Sequence, residues 1–139
     1  LIMGDGEEKE YIKKIIVEKK LGDTIKTLDF QTNPYKYIAH SDVYVCSSYA
    51  EGYSTSVSEA VALSVPVITT ECSGMREIFG ENECGIICEN SEDGLYNAMK
   101  KVLENPSLLE KFSNEEKKRA NDFSLQKRVK AIEDFLESV

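Results

Sequence analysis

The chain has 139 residues, 41% of them hydrophobic and 30% charged. That length predicts one compact domain, and that balance excludes a disordered chain. Seventeen basic against 25 acidic side chains leave a net charge of −8, which argues against nucleic acid and anionic membrane as partners, because both need a basic surface.

The longest apolar runs, such as Val65–Ile68, are only a few residues long. A membrane-spanning helix needs roughly 20. The chain opens Leu1-Ile2-Met3, without an initiator Met or a signal peptide, and reads as a piece of a longer protein. The charge is unevenly placed. Residues 1–50 carry 7 basic and 8 acidic side chains and residues 100–139 carry 9 and 8, but residues 51–99 hold 9 acids and a single cation, Arg76. An anion bound in that middle segment must be held mainly by backbone dipoles or by cations from elsewhere. The four cysteines, Cys46, Cys72, Cys84 and Cys88, contain no C-x-x-C pair, and the single His40 is distant in sequence. That spacing argues against a zinc site and suits free thiols in a cytoplasmic protein.

In chain order, Leu1-Ile2-Met3 reads as a strand entering the turn Gly4-Asp5-Gly6. Residues 7–21 read as a helix with Tyr11, Ile12, Ile15 and Ile16 on one face and Gly22 at its C-terminal cap. Ile25–Phe30 alternates as a strand. Asn33-Pro34 opens a short helix through about Ala39, in which Tyr35 and Tyr37 read as packing residues and His40 as a helix-end residue. Val43–Cys46 is a buried strand, Ser47–Gly52 a loop, and about 55–64 a helix with Val57, Ala60, Val61 and Leu63 on its apolar side. Val65–Thr69 is a strand entered through Pro66. A short helix near Met75–Phe79 and a strand Gly85–Ile87 follow. The remainder, about 92–139, is helical and broken at Asn105-Pro106. Lys117-Lys118-Arg119 reads as a solvated face. Leu125, Val129, Ile132, Leu136 and Val139 form a stripe that needs a partner.

This alternation predicts an α/β fold, a Rossmann-like parallel sheet of about five strands with helices on both faces. Such sheets bind ligands at the carboxyl ends of their strands. Three loops are placed there: Gly4–Gly6, Phe30–Asn33 and Ser47–Ser56.

Gly4-Asp5-Gly6 is part of a glycine-rich phosphate loop or simply a tight turn; the third glycine of G-x-G-x-x-G is replaced by Lys9. The more informative stretch is Glu51-Gly52-Tyr53-Ser54-Thr55-Ser56-Val57-Ser58-Glu59. It follows a buried strand and opens a helix. Gly52 allows an unusual backbone angle and a close approach. The amides of residues 53–56, with the helix dipole, make an anion site that needs no cation. Glu51 and Glu59 would repel phosphate, but they suit hydroxyl groups on either side of a diphosphate. A second reading stands beside this one. Ser56-Val57-Ser58-Glu59 matches a capping box, with Ser56 at the N-cap and Glu59 at N3, which would make Glu59 structural and leave Glu51 an ordinary loop acid.

Glu51 and Glu59 with seven residues between them, followed by Gly52 and Ala60 respectively, resemble the E-x7-E signature of retaining GT-B glycosyltransferases of family 4, also called group 1. Other segments agree in order. Leu1–Gly6 is similar to a strand and G-x-G turn of that family's C-terminal domain, and Leu28–Pro34 to its F-L-G-x-x-N-P stretch. Ser41–Val45 is similar to A-D-x-F-V, Ser64–Ile68 to G-x-P-V-I, and Gly74–Glu77 to the glycine and glutamate beyond. Asp29 and Ser64 depart from the pattern, which has a small residue at the first position and glycine at the second.

The resemblance covers about residues 1–110. It implies the C-terminal, donor-binding half of a GT-B fold. Residues 1–139 would be a nucleotide-sugar-binding domain truncated at its N-terminal side, with C-terminal helices from about 92 and the acceptor domain absent. Glu51, the catalytic candidate, would hold donor-sugar hydroxyls and Glu59 the ribose. Gly52, Tyr53, Ser54, Thr55 and Ser56 would take the sugar and diphosphate, and Gly4, Phe30 and Gln31 would lie near the nucleoside. The donor would be a UDP- or GDP-sugar and the acceptor a glycan or lipid-linked glycan, with no metal or other cofactor and no nucleic acid. The family's diphosphate-binding Arg and Lys would lie upstream of Leu1. The full-length enzyme of cell-surface polysaccharide biosynthesis would be cytoplasmic, at most peripheral to the inner face of the membrane, and the 139 residues alone inactive. Two competitors remain. A nucleotide-sugar epimerase of this fold would need acid and base groups not found here. A flavodoxin-like regulatory domain would need a cluster of aspartates that Asp5, Asp29 and Asp42 do not obviously form.

Overall fold

The computed structural model describes residues 1–137, apart from the side chains of Leu125, Arg128 and Ala131. The chain divides into two compact units, Leu1–Pro34 and Tyr35–Val139.

The first unit is a β-α-β element. Strand β1 (Ile2–Met3) pairs in parallel with β2 (Thr27–Leu28), Ile2 opposite Thr27 and Met3 opposite Leu28, and helix α1 (Lys9–Glu18) connects them. α1 stops earlier than its periodicity suggests, and Gly22 is not its cap. Lys20 takes the left-handed position at φ 55°, while Lys20 N–H bonds Val17 O at 3.0 Å and Leu21 N–H bonds Ile16 O at 2.8 Å. Those two bonds satisfy the last carbonyls of the helix without glycine.

The second unit holds α2 (Tyr35–Ile38), β3 (Tyr44–Cys46), α3 (Thr55–Ala62), β4 (Val67–Thr70), α4 (Met75–Phe79) and β5 (Gly85–Cys88). Helices α5 (Glu92–Glu104) and α6 (Ser107–Ala120), a 3₁₀ turn (Asn121–Phe123) and α7 (Leu125–Glu137) follow. β3, β4 and β5 form a parallel sheet in sequential order, with Tyr44 opposite Val67 and Val67 opposite Gly85. The five strands are thus distributed over two parallel sheets, one of two strands and one of three.

β4 organises the core. All four of its residues are buried, as expected for a central parallel strand covered on both faces. Successive side chains alternate. Val67 enters a cluster with Val57, Val61, Met75, Ile78 and Phe79 from α3 and α4. Ile68 enters the opposite cluster with Ala98, Val102 and Phe112 from α5 and α6. Removing a buried side chain such as Ile68 costs about 2–5 kcal/mol.

Arg119 belongs to this architecture rather than to a solvated face. Its guanidinium donates to Ile78 O at 2.7 Å and Glu77 O at 2.7 Å, pairs with Asp122 at 2.9 Å and lies over the Phe123 ring at 5.2 Å. A cation therefore closes the C-terminal carbonyls of α4, where the helix dipole is negative. On α7, Val129, Ile132 and Leu136 of the apolar stripe are exposed, at 44%, 61% and 67%. The Leu125 side chain and Val139 lie outside the described residues.

Two features are destabilising. The first is Ser64. α3 ends in a Schellman turn, with Ser64 N–H on Val61 O (2.9 Å) and Val65 N–H on Ala60 O (3.0 Å), and this turn places Ser64 at φ 60°. A left-handed backbone costs a non-glycine residue about 1–2 kcal/mol. Glycine returns about 0.5–1 kcal/mol of that as unfolded-chain entropy. Ser64→Gly is therefore expected to stabilise the chain by about 0.5–1 kcal/mol, read as a higher denaturant midpoint at constant slope; a lower midpoint would refute the account.

The second feature is Glu116. It is 0% exposed on α6, and neither carboxylate oxygen has a hydrogen-bond partner among the described residues. Burial pushes its carboxyl from an ordinary 4.5 up to about 9. Between those values the folded state holds a proton that the unfolded state releases. Stability is therefore full below about pH 4.5 and is lost as pH rises towards 9, a loss of the order of 3 kcal/mol by neutrality. The other clear shifts act elsewhere. Asp29, Glu115 and Asp122 are lowered from the usual carboxylate range, and Cys84 is pushed up to about 12, first by burial and then by Glu116. Urea unfolding at pH 5 and pH 8 should show the decline in the wild type and its disappearance in Glu116→Gln. Parallel pH dependences in the two proteins would count against it.

Candidate functional site

The second unit gathers Glu51, Gly52, Tyr53, Ser54, Thr55, Ser56 and Glu59 at the carboxyl end of β3 and the start of α3. Gly4, Phe30 and Gln31 belong to the first unit, at the carboxyl ends of β1 and β2.

α3 begins two residues earlier than the capping-box reading requires. Its N-cap is Ser54, with extended backbone (φ −71°, ψ 112°), and Ser54 Oγ accepts from Val57 N–H at 3.5 Å. Ser54 is 2% exposed, and its hydroxyl also meets Ser56 Oγ at 3.2 Å, so its side chain serves the helix. N3 is then Val57, and Glu59 lies two residues further on, where it closes no capping box. This removes the capping-box reading of Glu59. Thr55 and Ser56, at N1 and N2, present amides that have no acceptor within the helix.

Glu59 is half-buried. Tyr35 Oη donates to its Oε1 at 3.2 Å, and this hydrogen bond, followed by the carboxylate charge, raises the Tyr35 phenol above its ordinary value. Tyr35 is 47% exposed, so it is a carboxylate partner rather than a packing residue. Tyr44 beneath the site is raised first by burial, against a hydrogen bond with Ser56 that lowers it. His40 behaves as a helix-end group, its Nδ1 2.8 Å from Lys36 O.

Glu51 is also half-buried, and Ser48 Oγ donates to its Oε1 at 2.8 Å. Each carboxylate therefore has one oxygen engaged by a hydroxyl. Gly52 is exposed. Its backbone is not left-handed, and a Cβ there would meet nothing within 4 Å. The conformational demand falls instead on Gly74, at φ 78°, where a Cβ would lie 2.3 Å from Gly52 O. Only glycine allows that approach. The one cation of the middle segment, Arg76, is engaged with Glu71, Nε to Oε1 at 3.0 Å.

In the first unit, Gly4 has φ 139° and its N–H bonds Leu28 O at 3.0 Å. Phe30 is exposed, and Gln31 Nε2 donates to Asp29 O at 3.1 Å. Lys9, at the third-glycine position, meets Asp29 at 2.8 Å and Asp5 at 3.2 Å. The hydrogen bond with Asp29 raises Lys9 and lowers Asp29. A cavity of about 230 Å³ is lined by Gly4, Asp5 and Lys9 together with Ile2, Ile12 and Leu28, and not by Phe30 or Gln31.

Ser48 and Tyr35 are the site residues that sequence spacing did not single out, and Gly74 entered only through its likeness to the family's glycine. Ser48, three residues before Glu51 in the loop, was the only one within local reach. Tyr35 lies 24 residues from Glu59 and carries no periodic signal.

Residues 1–119 match the family described as glycosyl transferases group 1. A relative from Campylobacter jejuni, N-acetylgalactosamine-N,N'-diacetylbacillosaminyl-diphospho-undecaprenol 4-alpha-N-acetylgalactosaminyltransferase, is 34% identical over 98% of this chain, which spans 37% of that protein. Among solved structures, HepE of Anabaena in complex with UDP superposes with a TM-score of 0.80 at 21% identity, covering 99% of this chain and 40% of that one. Sucrose-phosphate synthase from Thermosynechococcus elongatus gives 0.79 at 22%, covering 96% and 34%. The chain therefore spans well under half the length of the proteins it matches. Its parallel strands and flanking helices share the fold of GT-B enzymes, and the match over residues 1–119 makes it a member of the group 1 glycosyltransferase family.

Proposed function

We propose that this chain is the donor-binding domain of a retaining hexosyltransferase, which moves a sugar from a UDP- or GDP-sugar to a glycan or lipid-linked acceptor. The observation that carries the reading is the start of α3. The amides of Thr55 and Ser56, at the first two helical positions and without an acceptor inside the helix, lie in sequence between two carboxylates, Glu51 and Glu59, each held by a hydroxyl. Diphosphate suits the amides and the positive end of the helix dipole. Sugar and ribose hydroxyls suit the carboxylates, which accept hydrogen bonds. UDP in the HepE structure and the lipid diphosphate acceptor in the name of the Campylobacter relative favour the same classes of donor and acceptor.

Catalysis in the longer protein would rest on stabilising the leaving diphosphate. Tyr53, half-exposed beside the helix start, would border the sugar, and Gly4, Phe30 and Gln31 the nucleoside. No helix among the described residues is long and apolar enough to cross a membrane. Contact with a lipid-linked acceptor would fall to the remainder of a cytoplasmic, peripheral enzyme, and the 139 residues alone would not turn over.

Two outcomes test this reading. Glu59→Gln should weaken nucleoside diphosphate binding at least tenfold, because a hydrogen bond to a charged group is worth about 1.5–3 kcal/mol. Stability should change little, since Ser54 and not Ser56 caps α3. Titration followed by amide shifts, with urea unfolding alongside, measures both; lost stability with intact binding would reverse the assignment.

The second outcome concerns affinity. Without the upstream Arg and Lys, about two charge-assisted bonds are missing, which corresponds to two to four powers of ten. UDP and GDP should therefore bind the 139-residue chain at millimolar concentration or weaker, with no need for added Mg²⁺. Tight, strictly Mg²⁺-dependent binding would overturn this account of how the diphosphate is held.

A further inference from the structure

We infer that Ser48 is a positioning residue for Glu51, and that the ends of β4 and β5 fix the Ser48 loop so that Glu51 presents its second oxygen to the sugar of a bound donor. The inference rests on the reading of Glu51 as the sugar-contacting carboxylate.

The geometry is specific. Ser48 Oγ donates to Glu51 Oε1 at 2.8 Å, and no hydrogen bond to Oε2 is found among the described residues. The backbone of Ser48 is itself held. Its carbonyl accepts from Thr70 Oγ1, at the last residue of β4, and from Cys72 Sγ at 3.2 Å. Thr70 is 3% exposed, so this anchor sits in the core. From beyond β5, Asn90 Nδ2 donates to Tyr49 O at 2.8 Å and to Glu71 O at 3.2 Å. Two strand ends thus grip successive carbonyls, Ser48 and Tyr49, of the loop that carries Glu51.

A carboxylate with one oxygen engaged has lost most of its rotational freedom before any ligand arrives. Its other oxygen can then accept a sugar hydroxyl without paying to order the side chain. Ordering a flexible side chain on binding costs about a three- to tenfold loss of affinity. That loss would fall on the sugar alone, since the nucleotide is held elsewhere.

The experiment compares two probes on the 139-residue chain by amide-shift titration. One is UDP or GDP. The other is whichever of UDP-N-acetylgalactosamine, UDP-N-acetylglucosamine, UDP-glucose and GDP-mannose binds more tightly than its own nucleoside diphosphate. The ratio of the two affinities is the sugar increment. Ser48→Ala should reduce that increment about three- to tenfold and leave nucleoside diphosphate affinity unchanged, and Ser48→Thr should restore it. Glu51→Ala should abolish it. If Glu51→Ala abolishes the increment while Ser48→Ala leaves it intact, the positioning role is overturned and the reading of Glu51 stands. A Ser48→Ala variant that weakens both probes equally also overturns it, because the loss is then one of folding. If Glu51→Ala leaves the increment intact, or no sugar nucleotide outbinds its nucleoside diphosphate, the reading of Glu51 falls and the inference with it.

Discussion

The site depends on the pinning of one loop, the segment between the end of β3 and Ser54. Loops at strand ends are ordinarily mobile, and a carboxylate on a mobile loop binds poorly because each binding event must order it. Here three contacts from below remove that freedom. The Thr70 and Cys72 side chains hold the Ser48 carbonyl, the Asn90 amide holds that of Tyr49, and the bare Cα of Gly74 lets α4 close against Gly52. All three originate at or just beyond the ends of β4 and β5. The burial of β4 between two apolar clusters therefore does more than stabilise the sheet. It supplies a rigid base from which polar groups reach one layer up.

Charge sets the second constraint. The segment 51–99 holds nine acids and only Arg76 in opposition, and Arg76 is engaged by Glu71. An exposed ion pair of this kind contributes little to stability, but it withdraws the one local cation. What remains positive within that segment is the start of α3. A helix end carries about half an elementary charge, too little to neutralise a diphosphate, and this fits a domain that shares the task with residues from elsewhere in a longer chain.

Much of this was legible in the sequence, and the remainder was not for identifiable reasons. Element order follows from periodicity, and α4 falls where Met75–Phe79 predicts it. The E-x7-E spacing singled out the candidate site because both carboxylates belong to one local strand–loop–helix unit. Local pattern could not decide between two serines two residues apart. Ser56-x-x-Glu59 satisfies the capping rule as well as Ser54 does, and only the burial of Ser54 selects it. Glycine signals misled in the same way. Gly22 and Gly52 look like the residues under conformational demand, but Lys20 and Gly74 carry it, because left-handed geometry and close approach depend on what packs against the chain. Arg119 lies in a run of three cations that reads as solvent-facing, and its role depends on carbonyls some 40 positions away.

In the first unit, Lys9 and Asp29 are informative when read as a pair. Taken singly, Lys9 in place of the third glycine weakens the phosphate-loop reading, and Asp29 in place of a small residue disturbs the loop that precedes Phe30. In the structure the two side chains meet, with Asp5 as a third partner. Pairs this exposed contribute at most about 1 kcal/mol, so stability does not explain the arrangement. Its effect is on local charge. Without Lys9, Asp5 and Asp29 would place two carboxylates at the carboxyl ends of β1 and β2, the edge where such sheets take their ligands. With it, one of those two charges is offset and Asp29 is turned toward α1. Lys9 and Asp29 therefore act as one compensating pair at the strand end where Gly4 N–H bonds Leu28 O.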